Sequence, residues 1–145
     1  MQYYLCSTEQ TLRENKNTVK KIKVSDSEYI IMQVLWDESP ISSADIVGQL
    51  KETTDWDPKT IHTFLRRLVS KNIVNAVKEG NFYKYSPNIS RDEYVFSETK
   101  SFVKKIFDGS ISSLVINFVQ NEKISKEEER KLKKMLEVLD EGGHN

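Results

Sequence analysis

Lys59, Thr60, His62, Thr63, Arg66 and Arg67 crowd into the stretch DPKTIHTFLRRLVSKNIV, residues 57–74. Each can donate a hydrogen bond or carry positive charge. Lys and Arg neutralise phosphates and bond guanine edges, while threonine donates to phosphate or touches a thymine methyl. The same stretch also carries Ile61, Phe64, Leu65 and Leu68 at i, i+3, i+4 and i+7, one apolar stripe of a helix. Lys59, Thr63, Arg66 and Ser70 then share the opposite side, flanked by Thr60, His62 and Arg67. Asp57 can cap the start, and Pro58 suits the first helical position.

Charge is distributed to match. The 145 residues sum to a formal charge of zero. Residues 23–57 nevertheless carry Lys23 and Lys51 against eight acidic side chains. Residues 58–84 carry Lys59, Arg66, Arg67, Lys71, Lys78 and Lys84 against Glu79 alone. A concentrated cationic segment in a neutral chain suits a polyanion-binding face.

The elements around this helix can be read in order. Residues 1–21 have no sustained periodicity and are expected to be a flexible extension. Ser25 and Glu28 have capping-box spacing, and Tyr29, Met32, Leu35 and Trp36 form the stripe of a helix ending near Asp37. Pro40 breaks the chain, and Ile41 begins a very short strand. Ser43 is expected to cap a second helix, with Ile46, Val47 and Leu50 inward, ending around Thr53–Asp55. The 57–70 helix follows within a few residues, the spacing of a helix-turn-helix.

After it, β-branched and aromatic residues flank EGN in IVNAVKEGNFYKYS. Gly80 and Asn81 tolerate positive φ, so residues 73–86 are predicted to form a β-hairpin. Three helices followed by a hairpin describe a winged helix over residues 22–88. Its third helix would enter a DNA groove, with Lys78, Asn81 and Lys84 of the wing on the DNA backbone. Trp36 and Trp56 are taken as core and loop-packing residues.

Residues 89–140 have a different character. SRDE (90–93) is a capping box opening a helix to about Phe107, stopped by Gly109. Ile111, Leu114, Val115, Phe118 and Val119 make a second stripe; SKEE (125–128) opens a last helix with Leu132, Met135, Leu136 and Leu139 apolar. Narrow apolar faces of this kind are marginal alone. A three-helix dimerisation region is therefore expected, with Ile111, Leu114, Val115, Phe118, Leu132 and Leu136 at the contact, followed by a tail over 141–145. The fold class is mainly α with a small hairpin wing.

Catalysis has no constellation to rest on. GxSxG, glycine-rich phosphate loops and HExxH are missing, and His62 and His144 lie far apart in sequence. No metal, cofactor or catalytic residue is expected. The single cysteine, Cys6, has no CxxC partner, and no apolar run reaches membrane-spanning length, so a cytoplasmic chain without membrane insertion is expected. A winged helix used as a protein-interaction module is the alternative. The cationic outer face of residues 59–67 weighs against it, because protein contacts centre on apolar or aromatic anchors.

Three segments, DPKTIHTFLRRLVSKNIV, YKYSPNI and SLVINFV, together resemble the penicillinase-repressor family, which includes repressors of β-lactamase and methicillin-resistance genes. The similarity runs from about Ile22 to Leu139. It implies a dimeric winged-helix repressor on inverted repeats of double-stranded DNA upstream of resistance genes. It also implies a membrane receptor that senses β-lactam, followed by a cut within the dimerisation region. The bond matching the family's Asn–Phe cut is Asn117–Phe118, inside SLVINF. Relatives often carry arginine where this chain has His62, and residues 1–21 exceed the usual family N-terminus. One branch of the family senses copper through a cysteine-rich tail, and DEGGHN here has no cysteine.

Overall fold

The computed structural model describes residues 22–142. The extension over 1–21 and the last three residues of the tail lie outside these. The chain divides into two compact units between Thr99 and Lys100.

In the first unit, Ser25 caps helix α1, Asp26–Asp37, its Oγ accepting the Glu28 N–H at 3.2 Å. The Glu28 carboxylate in turn takes a hydrogen bond from the Ser25 backbone, the reciprocal half of the expected capping box. It is also buried, and Lys71 donates to both its carboxylate oxygens at 2.8 Å. Ile31 joins Met32 and Leu35 as the fully buried residues of α1, while Tyr29 and Trp36 are half-buried. The two aromatics sit on the flank of the stripe, where the Trp36 indole N–H can reach a backbone carbonyl.

Strand β1, Ile41–Ser42, leads into helix α2, Ser43–Leu50. Its cap is Ser42, one residue earlier than expected, accepting the Asp45 N–H at 3.2 Å; Ser43 is already helical. The helix also stops at Leu50, sooner than the sequence suggested, and Thr54 satisfies the Leu50 carbonyl through its N–H (2.8 Å) and hydroxyl (2.9 Å). Helix α3, Pro58–Ser70, begins as expected, with Asp57 accepting the Thr60 N–H at 2.7 Å. Ile61, Leu65 and Leu68 are buried. Phe64 is only half-buried; its ring meets Trp56 edge-on at 5.0 Å.

Strands β2, Val74–Glu79, and β3, Phe82–Pro87, form the hairpin, one residue later than predicted. With β1 they make an antiparallel sheet of order β1-β3-β2. Gly80 takes φ +66, whereas Asn81 is not among the residues with positive φ. Glycine first and a negative φ second make the two-residue turn type II′, whose twist matches the strands. Val74 is buried and Tyr85 packs against the core, so one face of the sheet covers α1, α2 and α3.

Helix α4, Arg91–Phe107, crosses the division between the units. Ser90 accepts the Glu93 N–H at 3.0 Å. Its first half belongs to the winged helix. Tyr94 is buried against Tyr29 (5.4 Å between ring centroids) and Trp36 (5.5 Å), the Trp36 indole donates to the Ile89 carbonyl at 2.9 Å, and Arg91 pairs with Asp37 at 2.7 Å.

In the second unit, Asp108 (φ 51) and Gly109 (φ 86) turn the chain after α4. Helix α5, Ile111–Asn121, is capped by Ser110, and helix α6, Lys126–Gly142, starts at Ser125, whose Oγ accepts the Glu128 N–H at 3.2 Å. No residue of α5 or α6 is buried. Ile111 is 70% exposed, Phe118 60% and Leu136 65%. Val115 is exposed as well, and Leu114 and Leu132 are half-buried.

Candidate nucleic-acid interface

Helix α3 holds its cations on the side away from the core. Ile61, Leu65 and Leu68 fix the rotation of the helix, and a helix that buries those positions must expose Lys59, His62, Arg66 and Arg67. All four are exposed. Arg67 lies over the Phe64 ring, 6.0 Å from its centroid, so Phe64 steadies a cation and does not simply fill the core.

The two threonines are more constrained than their sequence positions suggest. Thr60 and Thr63 are half-buried. The Thr63 hydroxyl donates to the Lys59 carbonyl at 3.0 Å. The backbone N–H of Thr60, then its hydroxyl, then the Lys59 charge hold the Asp57 carboxyl below its ordinary range against a small effect of burial. Thr60 thus serves the cap of α3, and the donors of both threonines are engaged within the helix.

Lys71 leaves the cationic group. Its ammonium is committed to Glu28 and to the Lys23 carbonyl (3.2 Å), tying the end of α3 to the start of α1. Burial pushes the Glu28 carboxyl up, but hydrogen bonds from Lys71 and Ser25 and the Lys71 charge outweigh it and leave the group below its ordinary value.

The hairpin register sorts the wing residues onto two faces. Ala76 pairs with Tyr85 and Lys78 with Tyr83, so these four share the core side of the sheet with Val74 and Pro87. Val77, Glu79, Phe82 and Lys84 lie on the other side. There Lys84 pairs with Glu79 at 3.3 Å, beside the half-exposed Val77 and Phe82. Asn81 is exposed at the turn. Burial pushes the Tyr85 phenol up, Tyr83 adds to the rise, and the Arg66 guanidinium opposes it. Tyr83 lies beside Tyr85 on the same face of β3. The structure brings Lys78 to the side of the sheet that α3 occupies and puts Lys84 on the other. Tyr83 and Tyr85 were missed in the sequence reading, although their i, i+2 spacing in a strand places them on one face.

Comparison with known proteins gives these features a context. The penicillinase repressor family profile matches residues 24–138. A penicillinase repressor of Bacillus licheniformis is 38% identical over 120 residues, 82% of this chain and 94% of that protein. The methicillin resistance regulatory protein MecI of Staphylococcus aureus strain N315 is 29% identical over 117 residues, 81% of this chain and 95% of that protein. The solution structure of monomeric Bacillus licheniformis BlaI in complex with the blaP half-operator is 40% identical, with a TM-score of 0.46, covering 52% of this chain and 92% of that one. The match over residues 24–138, together with 38% identity across nearly the whole of a repressor, makes the chain a member of the penicillinase repressor family.

Proposed function

We propose that the chain is a DNA-binding transcriptional repressor of antibiotic-resistance genes, acting in the cytoplasm as a homodimer on an inverted-repeat operator. The observation that carries this reading is the outer face of α3. Lys59, His62, Arg66 and Arg67 are exposed on a helix whose rotation is locked by a buried stripe. Family membership supplies the kind of protein, and that face supplies the chemistry. Fixed cations on a groove-sized helix displace counterions from DNA, and Lys or Arg can also bond base edges.

Dimerisation is supported by α5 and α6. Their stripes include Phe118 and Leu136 and stay exposed in the isolated chain, and covering them against a second copy removes apolar surface from water. Release is assigned to a cut at Asn117–Phe118, triggered through a membrane receptor for β-lactam. The bond lies in the exposed helix α5, and no helix among the described residues is long and apolar enough to cross a membrane.

The test is an anisotropy titration of the full chain with a duplex selected by that chain from a random-sequence pool. Lys59→Ala, Arg66→Ala and Arg67→Ala combined should weaken binding at least about a hundredfold, taking roughly 1–3 kcal/mol for a base contact. The salt slope should fall by about one for each phosphate that is no longer neutralised. Unchanged affinity in the triple variant would remove α3 as the reading element.

A further inference from the structure

The wing has two chemically different faces, and only one is continuous with α3. On the core side, Lys78 stands directly opposite Tyr83, and Tyr85 follows on the same face, opposite Ala76 and packed against the core that α3 shares. Lys78 is exposed and Tyr83 is 47% exposed, so both continue beyond the core. On the far side, Lys84 is paired with Glu79, and Val77 and Phe82 are half-exposed apolar groups. A polyanion gains little from a cation already neutralised by a neighbouring carboxylate, and gains nothing from Val77 or Phe82.

We infer that the wing meets DNA through its Lys78–Tyr83 face, with Tyr83 as a contact residue and Lys84 outside the main contact. Lys78 supplies charge to a phosphate beside the groove that α3 enters. Tyr83 supplies a phenolic O–H to a phosphate oxygen, and its ring packs on the sugar. The inference rests on the DNA-binding reading above and extends it by choosing one side of the hairpin.

Salt dependence separates the roles. The experiment titrates the full chain against the same selected duplex at several salt concentrations. Lys78→Ala should weaken binding about three- to tenfold and lower the salt slope by about one, because it removes one released counterion. Tyr83→Ala should weaken binding to a similar degree with the slope unchanged, since no charge is removed. Tyr83→Phe should recover part of that loss, the part due to the ring. Lys84→Ala should lose less than Lys78→Ala, and Val77→Thr and Phe82→Thr should stay within about twofold of the parent chain. Thermal melts of each variant confirm that the hairpin still folds.

Equal or greater losses from Lys84→Ala and Phe82→Thr than from Lys78→Ala and Tyr83→Ala would overturn the choice of face. So would neutral Lys78 and Tyr83 variants. If Lys59→Ala and Arg66→Ala still weaken binding in that case, the DNA-binding reading stands without this extension. If the parent chain selects no duplex, both fall together.

Discussion

Removing Lys71 and removing Glu28 should not cost the same. Glu28 is 3% exposed and Lys71 37% exposed, so only the lysine can find water when its partner is gone. Lys71→Ala leaves a buried carboxylate without its cation and should cost about 1–3 kcal/mol at neutral pH. Glu28→Gln leaves a solvated lysine and a buried amide that can still accept, and should cost under about 1 kcal/mol. The parent chain and Lys71→Ala should also differ in their pH dependence. In the parent chain the Glu28 carboxyl is lowered, so its contribution is present above the unfolded value and is lost as pH falls through the folded one. In Lys71→Ala only the Ser25 hydrogen bonds still oppose burial, so the carboxyl should rise and that variant should lose less stability than the parent chain as pH falls from neutral. Urea melts between neutral and acid pH distinguish the two; parallel curves would mean that Lys71 does not hold Glu28 ionised. The pair could not be read from sequence, because Ser25 and Glu28 have capping-box spacing and Lys71 lies 43 residues away from Glu28. Local spacing names a cap; only the packing of α1 on α3 makes the carboxylate a buried partner.

At the scale of elements, period and punctuation made most of the fold legible. The stripe Ile61, Leu65, Leu68, the caps Asp57, Ser90 and Ser125, and the turn at Gly80 each act within a few residues. What escaped was long-range. The expected end of the winged helix at residue 88 takes no account of Tyr94, which has no periodic reason to belong with Tyr29 and Trp36. A fragment 22–99 should therefore outlast a fragment 22–88 in thermal melts by about 3–5 kcal/mol, the scale of losing a buried aromatic. Equal stability would mean that α4 merely rests on the domain. Helix α5 offers a second case. The Asn121 amide donates to the Asn117 carbonyl, the carbonyl of the Asn117–Phe118 bond, at 2.7 Å. Opening this turn must break that bond, so Asn121→Ala should speed cutting on the amino side of Phe118 by thermolysin about three- to tenfold. Alanine is the better helix former, so slower cutting would show that propensity, and not the side-chain bond, sets the opening.

For the whole molecule, the division into two units carries a consequence for the release by cleavage proposed above. Unit 1 contains the core, α3 and the wing, and unit 2 contains the exposed stripes of α5 and α6. A cut at Asn117–Phe118 removes Phe118, Val119 and all of α6, while every residue of unit 1 stays in place. The cut chain should therefore keep its melting transition for the winged helix and its affinity for one half-site. What it should lose is the second half-site, held nearby by the partner copy. An effective concentration in the millimolar range makes linked binding about 10²–10⁴ tighter than either half alone. Sedimentation should show the full chain as a dimer and the fragment 1–117 as a monomer at the same micromolar concentration. On a duplex with both half-sites, the fragment should bind at least about a hundredfold more weakly than the full chain; on a duplex with one half-site, the two should bind within a few-fold of each other. The second duplex decides the mechanism. Loss on both duplexes would mean that cleavage damages the reading face itself, and loss on neither would mean that release comes from some other cut or from a ligand.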